Sequence, residues 1–230
     1  MNWYLVSYTT SHKIAGSVVP QADVLWSPET PFVDLSPYLH NPVPHQLKIP
    51  TIKLKYRAKL TDLISANLEN LPAYTIISKK FFQLLLNFHT PRFQSFEMAA
   101  IDKKNIHHPY HFFMQNSPQY DLADYSRSVF SRMVKNESGQ YVHENFQATS
   151  YEEVRSQKGT HAYSLYLREN IEWDSFILAG PPSLWMVNQK VADALREAKI
   201  TGICLIPFHQ GENFVDDDIV SKAQRVEGTL

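Results

Sequence analysis

Polar and apolar residues alternate over short distances along most of this chain, and twice the pattern lengthens to a helical period in the same setting. The stretch from Ile77 to Phe88 aligns with the stretch from Val187 to Ala198. Each opens on an apolar residue followed by a capping type, Ser78 or Asn188. Apolar positions then recur at i, i+3, i+4 and i+7: Phe81, Leu84, Leu85 and Phe88 in one copy, Val191, Ala194, Leu195 and Ala198 in the other. Each copy runs on into a second apolar stretch, Phe93 to Met98 and Ile203 to Phe208. The pattern predicts a strand end, an N-capped amphipathic helix, a tight turn and a second strand, used twice.

Trp3 to Thr9 has the alternation of a short strand. Pro20, Pro28, Pro31, Pro37, Pro42, Pro44 and Pro50 then forbid a long helix, while Val24, Leu25, Trp26, Phe32 and Leu35 are too apolar for a linker. An ordered, extended N-terminal wrap over residues 1–55 is expected. Ile52, Leu54 and Tyr56 alternate with Lys53, Lys55 and Arg57, a strand with a basic outer face. Leu60 to Leu71 suggests a turn and a short helix ended by Pro72. The first repeat unit occupies about 60–100, and a strand-rich middle, 101–170, follows. There Tyr110 to Gln115, Phe130 to Val134 and Ala162 to Leu167 suggest strands, and Asn136-Glu137-Ser138-Gly139 a hairpin turn into Tyr141. Ser150-Tyr151-Glu152-Glu153 has the form of a capping box, with Gly159 placed to end the helix. Phe176 to Leu178 is a further strand in the second repeat unit, 173–208, and a tail with one short helix occupies 209–230. Consecutive strands outnumber helices, which predicts one continuous α+β domain with helices packed on a mixed or largely antiparallel sheet.

Composition narrows the partners. With 43% hydrophobic and 20% charged residues the chain is an ordinary globular one, and its formal charge of -1 offers no draw to nucleic acid or an anionic membrane. The N-terminus lacks a basic leader region and no apolar run approaches ~18 residues, so a cytoplasmic protein is expected. The single cysteine, Cys204, excludes an internal disulfide, and its apolar neighbours Ile203, Leu205 and Ile206 predict a buried, inert thiol.

Candidate chemistry is sparse. His107, His108 and His111 bring three imidazoles into five residues and invite a metal site, but strand alternation from Tyr110 would turn neighbours to opposite faces, and Pro109 disrupts helical spacing. Glu152 and Glu153 are paired carboxylates with a capping role to occupy one of them; Asp216, Asp217 and Asp218 form an acidic run in the tail. Arg127, between Ser126 and Ser128 and after Asp121 and Asp124, fits an anion-binding turn or an internal salt-bridged corner. No Gly-rich phosphate cradle or nucleophile elbow occurs, and the expectation is a non-catalytic protein without a cofactor.

Two stretches resemble the halves of a family of bacterial immunity proteins from polymorphic toxin systems, the Myxococcus-type immunity domain, formerly a domain of unknown function. The first is Leu60-Thr61-Asp62-Leu63-Ile64 with Ile76-Ile77-Ser78-Lys79-Lys80-Phe81 and Phe93-Gln94-Ser95-Phe96. The second is Trp173-Asp174-Ser175-Phe176-Ile177-Leu178 with Met186-Val187-Asn188 and Thr201-Gly202-Ile203-Cys204-Leu205-Ile206-Pro207. Arg127-Ser128-Val129-Phe130 matches the family's middle turn, and Asn188 stands where that pattern usually has Ser. The resemblance spans about 60 to 208 and implies a cytoplasmic protein that neutralises a cognate toxin by binding it. Under that implication Glu152, Glu153, Asp216, Asp217 and Asp218 are candidate partner contacts, with exposed aromatics as anchors. Two alternatives stay open: a metal-dependent hydrolase on His107, His108 and His111, and an adaptor that binds by strand addition. The oligomeric state is left open.

Overall fold

A computed structural model describes residues 2–9, 11–25, 42–44, 48–66, 74–115, 119–157, 159–178 and 183–212. In chain order its elements are β1 (Trp3–Tyr8), α1 (His12–Ala15), β2 (Ala22–Leu25), β3 (Thr51–Leu54), β4 (Leu63–Ile64), β5 (Tyr74–Ser78), α2 (Lys79–Leu85) and β6 (Phe93–Ile101). There follow β7 (His107–Gln115), β8 (Val129–Lys135), β9 (Tyr141–Phe146), α3 (Tyr151–Ser156) and β10 (Thr160–Ser164). The last are β11 (Ser175–Leu178), β12 (Leu184–Asn188), α4 (Gln189–Glu197) and β13 (Ile203–Phe208). The fold is α+β.

Among the described residues three sheets form, ordered β11-β12-β1-β13, β10-β8-β9 and β2-β3-β6-β7-β5-β4. Their named strand pairs are antiparallel except β3 with β6. The four-stranded sheet is covered on both faces, which is why β12 reads as the unbroken apolar run Leu184-Trp185-Met186-Val187. One face, with Trp3, Leu5, Phe176, Met186 and Ile206, packs on Phe130 of β8, Ala162 of β10 and Val154 of α3. The other face, with Ile177, Trp185 and Val187, meets α2, α4 and the six-stranded sheet through Phe81, Leu195 and Phe113. Phe81 is fully buried and stacks on Trp185 at 5.5 Å between ring centres. The far face of the six-stranded sheet holds a third cluster around Ile52, Ile76, Phe112 and Met114, with Val43 inserted. Gln94 accepts from Val43 N–H at 2.6 Å and donates to its carbonyl at 2.9 Å, which anchors that part of the proline-rich segment.

The repeat is real in three dimensions, and its copies are interlocked. Ser78 Oγ accepts from Phe81 N–H at 3.1 Å, and Asn188 Oδ1 accepts from Val191 N–H at 3.1 Å, so both expected caps form. Each cap is held by an aspartate on the strand or turn beside it. Ser78 Oγ donates to Asp62 Oδ1 at 2.6 Å, and Asn188 Nδ2 donates to Asp174 Oδ1 at 2.7 Å. The second oxygen of each carboxylate reaches the loop after the other copy's helix: Asp62 Oδ2 accepts from Thr201 N–H and Oγ1, and Asp174 Oδ2 from His89 N–H. The backbones answer in kind, with Leu63 N–H donating to the Thr201 carbonyl and Asp174 N–H to the His89 carbonyl. Gly202 follows with φ +83°, and a Cβ there would lie 2.4 Å from the Leu63 carbonyl oxygen, so glycine permits this close approach. Burial raises the Asp174 pKa, but the bonds from His89, Asn188 and Lys190 more than offset it and hold the carboxyl below its usual range.

Several expectations change. The strand predicted over Ile52 to Tyr56 ends at Leu54; Tyr56 lies in a turn and is 83% exposed, while Lys55 pairs with Asp23 at 3.3 Å. Within Leu60 to Leu71 the described part contains the short strand β4 where a helix was expected, because Leu63 and Ile64 pair with Ile77 and Ile76; residues 67–71 lie outside the described residues. The strand predicted to reach Leu167 stops at Ser164, where its register against β8 shifts. The tail helix falls outside the described residues. Cys204, the chain's single cysteine, is buried as expected. No helix among the described residues is long and apolar enough to cross a membrane.

Candidate functional site

The three-stranded sheet is built differently from the other two. Asn136 Oδ1 accepts from Ser138 Oγ at 2.7 Å and from Gln140 N–H at 2.9 Å, and Gly139 takes the positive φ of +83° that closes the turn. The turn sets six cross-strand pairs between β8 and β9, from Phe130 opposite Phe146 to Lys135 opposite Tyr141. Paired residues share a face. On the inner face, near the base, Phe130 and Phe146 meet, and Arg132 joins Glu144 through Nε at 2.9 Å and Nη2 at 2.7 Å. Arg132 also donates to Gln157 after α3 and lies over the Phe146 ring. These contacts root the hairpin.

Beyond the root it stands in solvent. Every β9 residue from Tyr141 to Asn145 is exposed, and β9 is an edge strand with β8 as its neighbour. Both faces carry apolar side chains: Tyr141 (69% exposed) and Met133 (54%) on the outer, Val142 (40%) on the inner. An edge of this kind offers backbone donors and acceptors flanked by apolar and charged side chains, the combination that pairs with an extended segment of another protein.

The candidates from sequence fall elsewhere. His107, His108 and His111 lie along β7 and do not converge. His108 Nε2 meets Asp102 Oδ2 at 3.1 Å. The Asp102 carboxyl is held low by Ile106 N–H first, then by His108 and Lys104 N–H. His111 is buried against Phe82, ring centres 4.2 Å apart, with Nδ1 2.9 Å from Ser95 Oγ; burial pushes its pKa down. His107 is exposed. Among the described residues no three His, Cys, Asp or Glu side chains come together as a metal ligand set. Glu153 completes the capping box, accepting from Thr149 N–H at 2.7 Å and Oγ1 at 3.1 Å while Ser150 Oγ accepts from Glu153 N–H at 3.2 Å. Glu152 is exposed on the first turn of α3. Asp216, Asp217 and Asp218 lie outside the described residues.

The Arg127 turn is organised around Asp124. Ser126 Oγ donates to its carboxylate at 2.7 Å, Ser128 Oγ to its carbonyl at 2.7 Å, and Arg127 N–H to the carboxylate at 3.3 Å. The Ser126 bond leads in holding Asp124 below the usual carboxyl range. The Arg127 guanidinium lies 4.5 Å over the Tyr166 ring, beside a cleft of about 500 Å³ that Trp3, Arg168, Asn170 and Gln210 also line. Ser126 Oγ is thus engaged within the turn, and Ser128 Oγ also accepts from Tyr166 N–H at 3.0 Å.

The exposed hairpin was missed as a site, although its turn was read. Its signal is in the sequence: Met133-Val134 and Tyr141-Val142 put apolar residues on adjacent strand positions, so neither face is purely buried or purely solvated. No protein-family model matches the chain, and no curated protein matches its sequence.

Proposed function

We propose that this chain is a non-catalytic protein-binding module whose β8–β9 hairpin is the docking element. More particularly, it acts as a cytoplasmic immunity protein that neutralises a cognate bacterial toxin by covering it. One observation carries the first step: an edge strand with five successive exposed residues, apolar on both faces and rooted by the Arg132–Glu144 pair. The Asp-Leu, Ser-Lys-Lys and Thr-Gly motifs support the second step, because Asp62, Ser78, Thr201 and Gly202 form one connected lock in the scaffold. Strand addition supplies affinity through the β9 backbone, and Tyr141, Val142 and Met133 supply the anchoring area. Glu137, exposed in the turn, gives the hairpin an acidic group to set against a basic toxin surface.

The test is co-purification of the tagged chain from its native host, beside the Asn145→Pro variant, which removes a β9 backbone donor that the register turns toward the open edge and not toward β8. The expected result is one stoichiometric partner that arrests growth when expressed alone, is tolerated when co-expressed with this chain, and is lost with Asn145→Pro. Recovery of the chain alone while its neighbouring genes are expressed would overturn the reading.

A further inference from the structure

We infer that His143 and His161 form a binding site for a divalent transition-metal ion on the outer face of the three-stranded sheet. The inference stands on the geometry of that face and not on the toxin reading. His143 lies on β9 and His161 on β10, the two strands that flank β8. Both face outward with Ser131, Met133, Lys135, Tyr141 and Asn145, as their register against β8 requires. Between them sits Ser131, a residue too small to separate them. The imidazoles lean over it and leave it fully buried on the solvent side of a sheet.

The two rings stand 5.3 Å apart, centre to centre, with their planes 83° apart. An imidazole bound through nitrogen at the usual ~2.0–2.1 Å holds its ring centre roughly 3.2 Å from the ion, so two such rings on a tetrahedral ion lie roughly 5.2 Å apart. The rings already have the spacing of a ligand pair. His143 Nδ1 is 3.4 Å from Ser131 Oγ, a contact that orients the ring and leaves Nε2 available. Among the described residues the His161 ring packs on His143 and makes no hydrogen bond. Met133, opposite His143 and 54% exposed, places a thioether on the same face as a soft third donor. Water, or a side chain from a docked partner, completes the coordination.

The experiment is calorimetric titration of the full chain with zinc and, separately, copper(II) ions. It is repeated for His143→Ala, His161→Ala and a control, His107→Ala, which removes an exposed imidazole on another sheet. One equivalent should bind, copper more tightly than zinc, with affinity falling more than about tenfold in each of the first two variants and unchanged in the control. All three positions are on the surface, and matching circular dichroism spectra would establish that the variants fold. Absence of binding, or binding that survives both His143→Ala and His161→Ala, would overturn the site. Since the titration contains no partner protein, its failure is distinct from failure of the toxin reading.

Discussion

The interlocked repeat and the β8–β9 hairpin are made from the same kinds of residue and put them to opposite uses. In the repeat, every cap side chain has a second bond, each aspartate serves both copies, and the helices are closed between two sheets. In the hairpin, bonding is concentrated at the turn and the root, and the length between them is left to solvent. A region whose caps and carboxylates are bonded internally has little to give a partner. A region that leaves backbone edge and apolar side chains uncommitted is maintained at a cost in solubility, which makes it the better place to look for function.

The contrast is broken most severely at the centre of the repeat. Phe81→Ala should destabilise the protein by about 3–5 kcal/mol, since it empties a fully buried site stacked on Trp185; denaturant unfolding measures this. Asp174→Ala should cost about 2 kcal/mol at neutral pH, because three donors lose a charged acceptor. Its folded pKa is depressed, so its contribution is complete above the unfolded carboxyl value of about 3.9 and is lost as pH falls through the folded value. The gap between wild type and Asp174→Ala should therefore narrow when unfolding is repeated at successively lower pH below about 4. Ser78→Ala and Asn188→Ala should each cost about 1 kcal/mol, and equal losses would sharpen the equivalence of the two copies. Tyr141→Ser should shift stability by less than about 0.5 kcal/mol while weakening partner capture. A large stability loss there would mean the hairpin is scaffold and would erase the distinction.

Local signals explain what was legible. Helix period, cap type and turn residues act within a few positions, so α2, α4, the Ser150–Glu153 box and the Asn136–Gly139 turn could be read directly. Strand alternation sends His108 and His111 to opposite faces of β7, where they meet Asp102 and Ser95. The locks were not legible, because Asp62 and Thr201 are 139 positions apart and neither residue advertises the other. Tyr56 misled for a related reason: it continues the alternation of Ile52 and Leu54, but the backbone turns away before it. The hairpin's exposure depends on which surfaces the other two sheets cover, and only the assembled layers decide that.

The place of β1 has a consequence for how the protein is made. It lies between β12 and β13, and Tyr4 reaches Gln189 across 185 positions of chain. On the ribosome, Trp3 and Leu5 emerge long before the strands that bury them, so the C-terminal sheet closes only after synthesis has passed Phe208. The nascent chain must carry an apolar strand without its neighbours until Phe208 has been made, a natural client for the chaperones that wait at the exit tunnel.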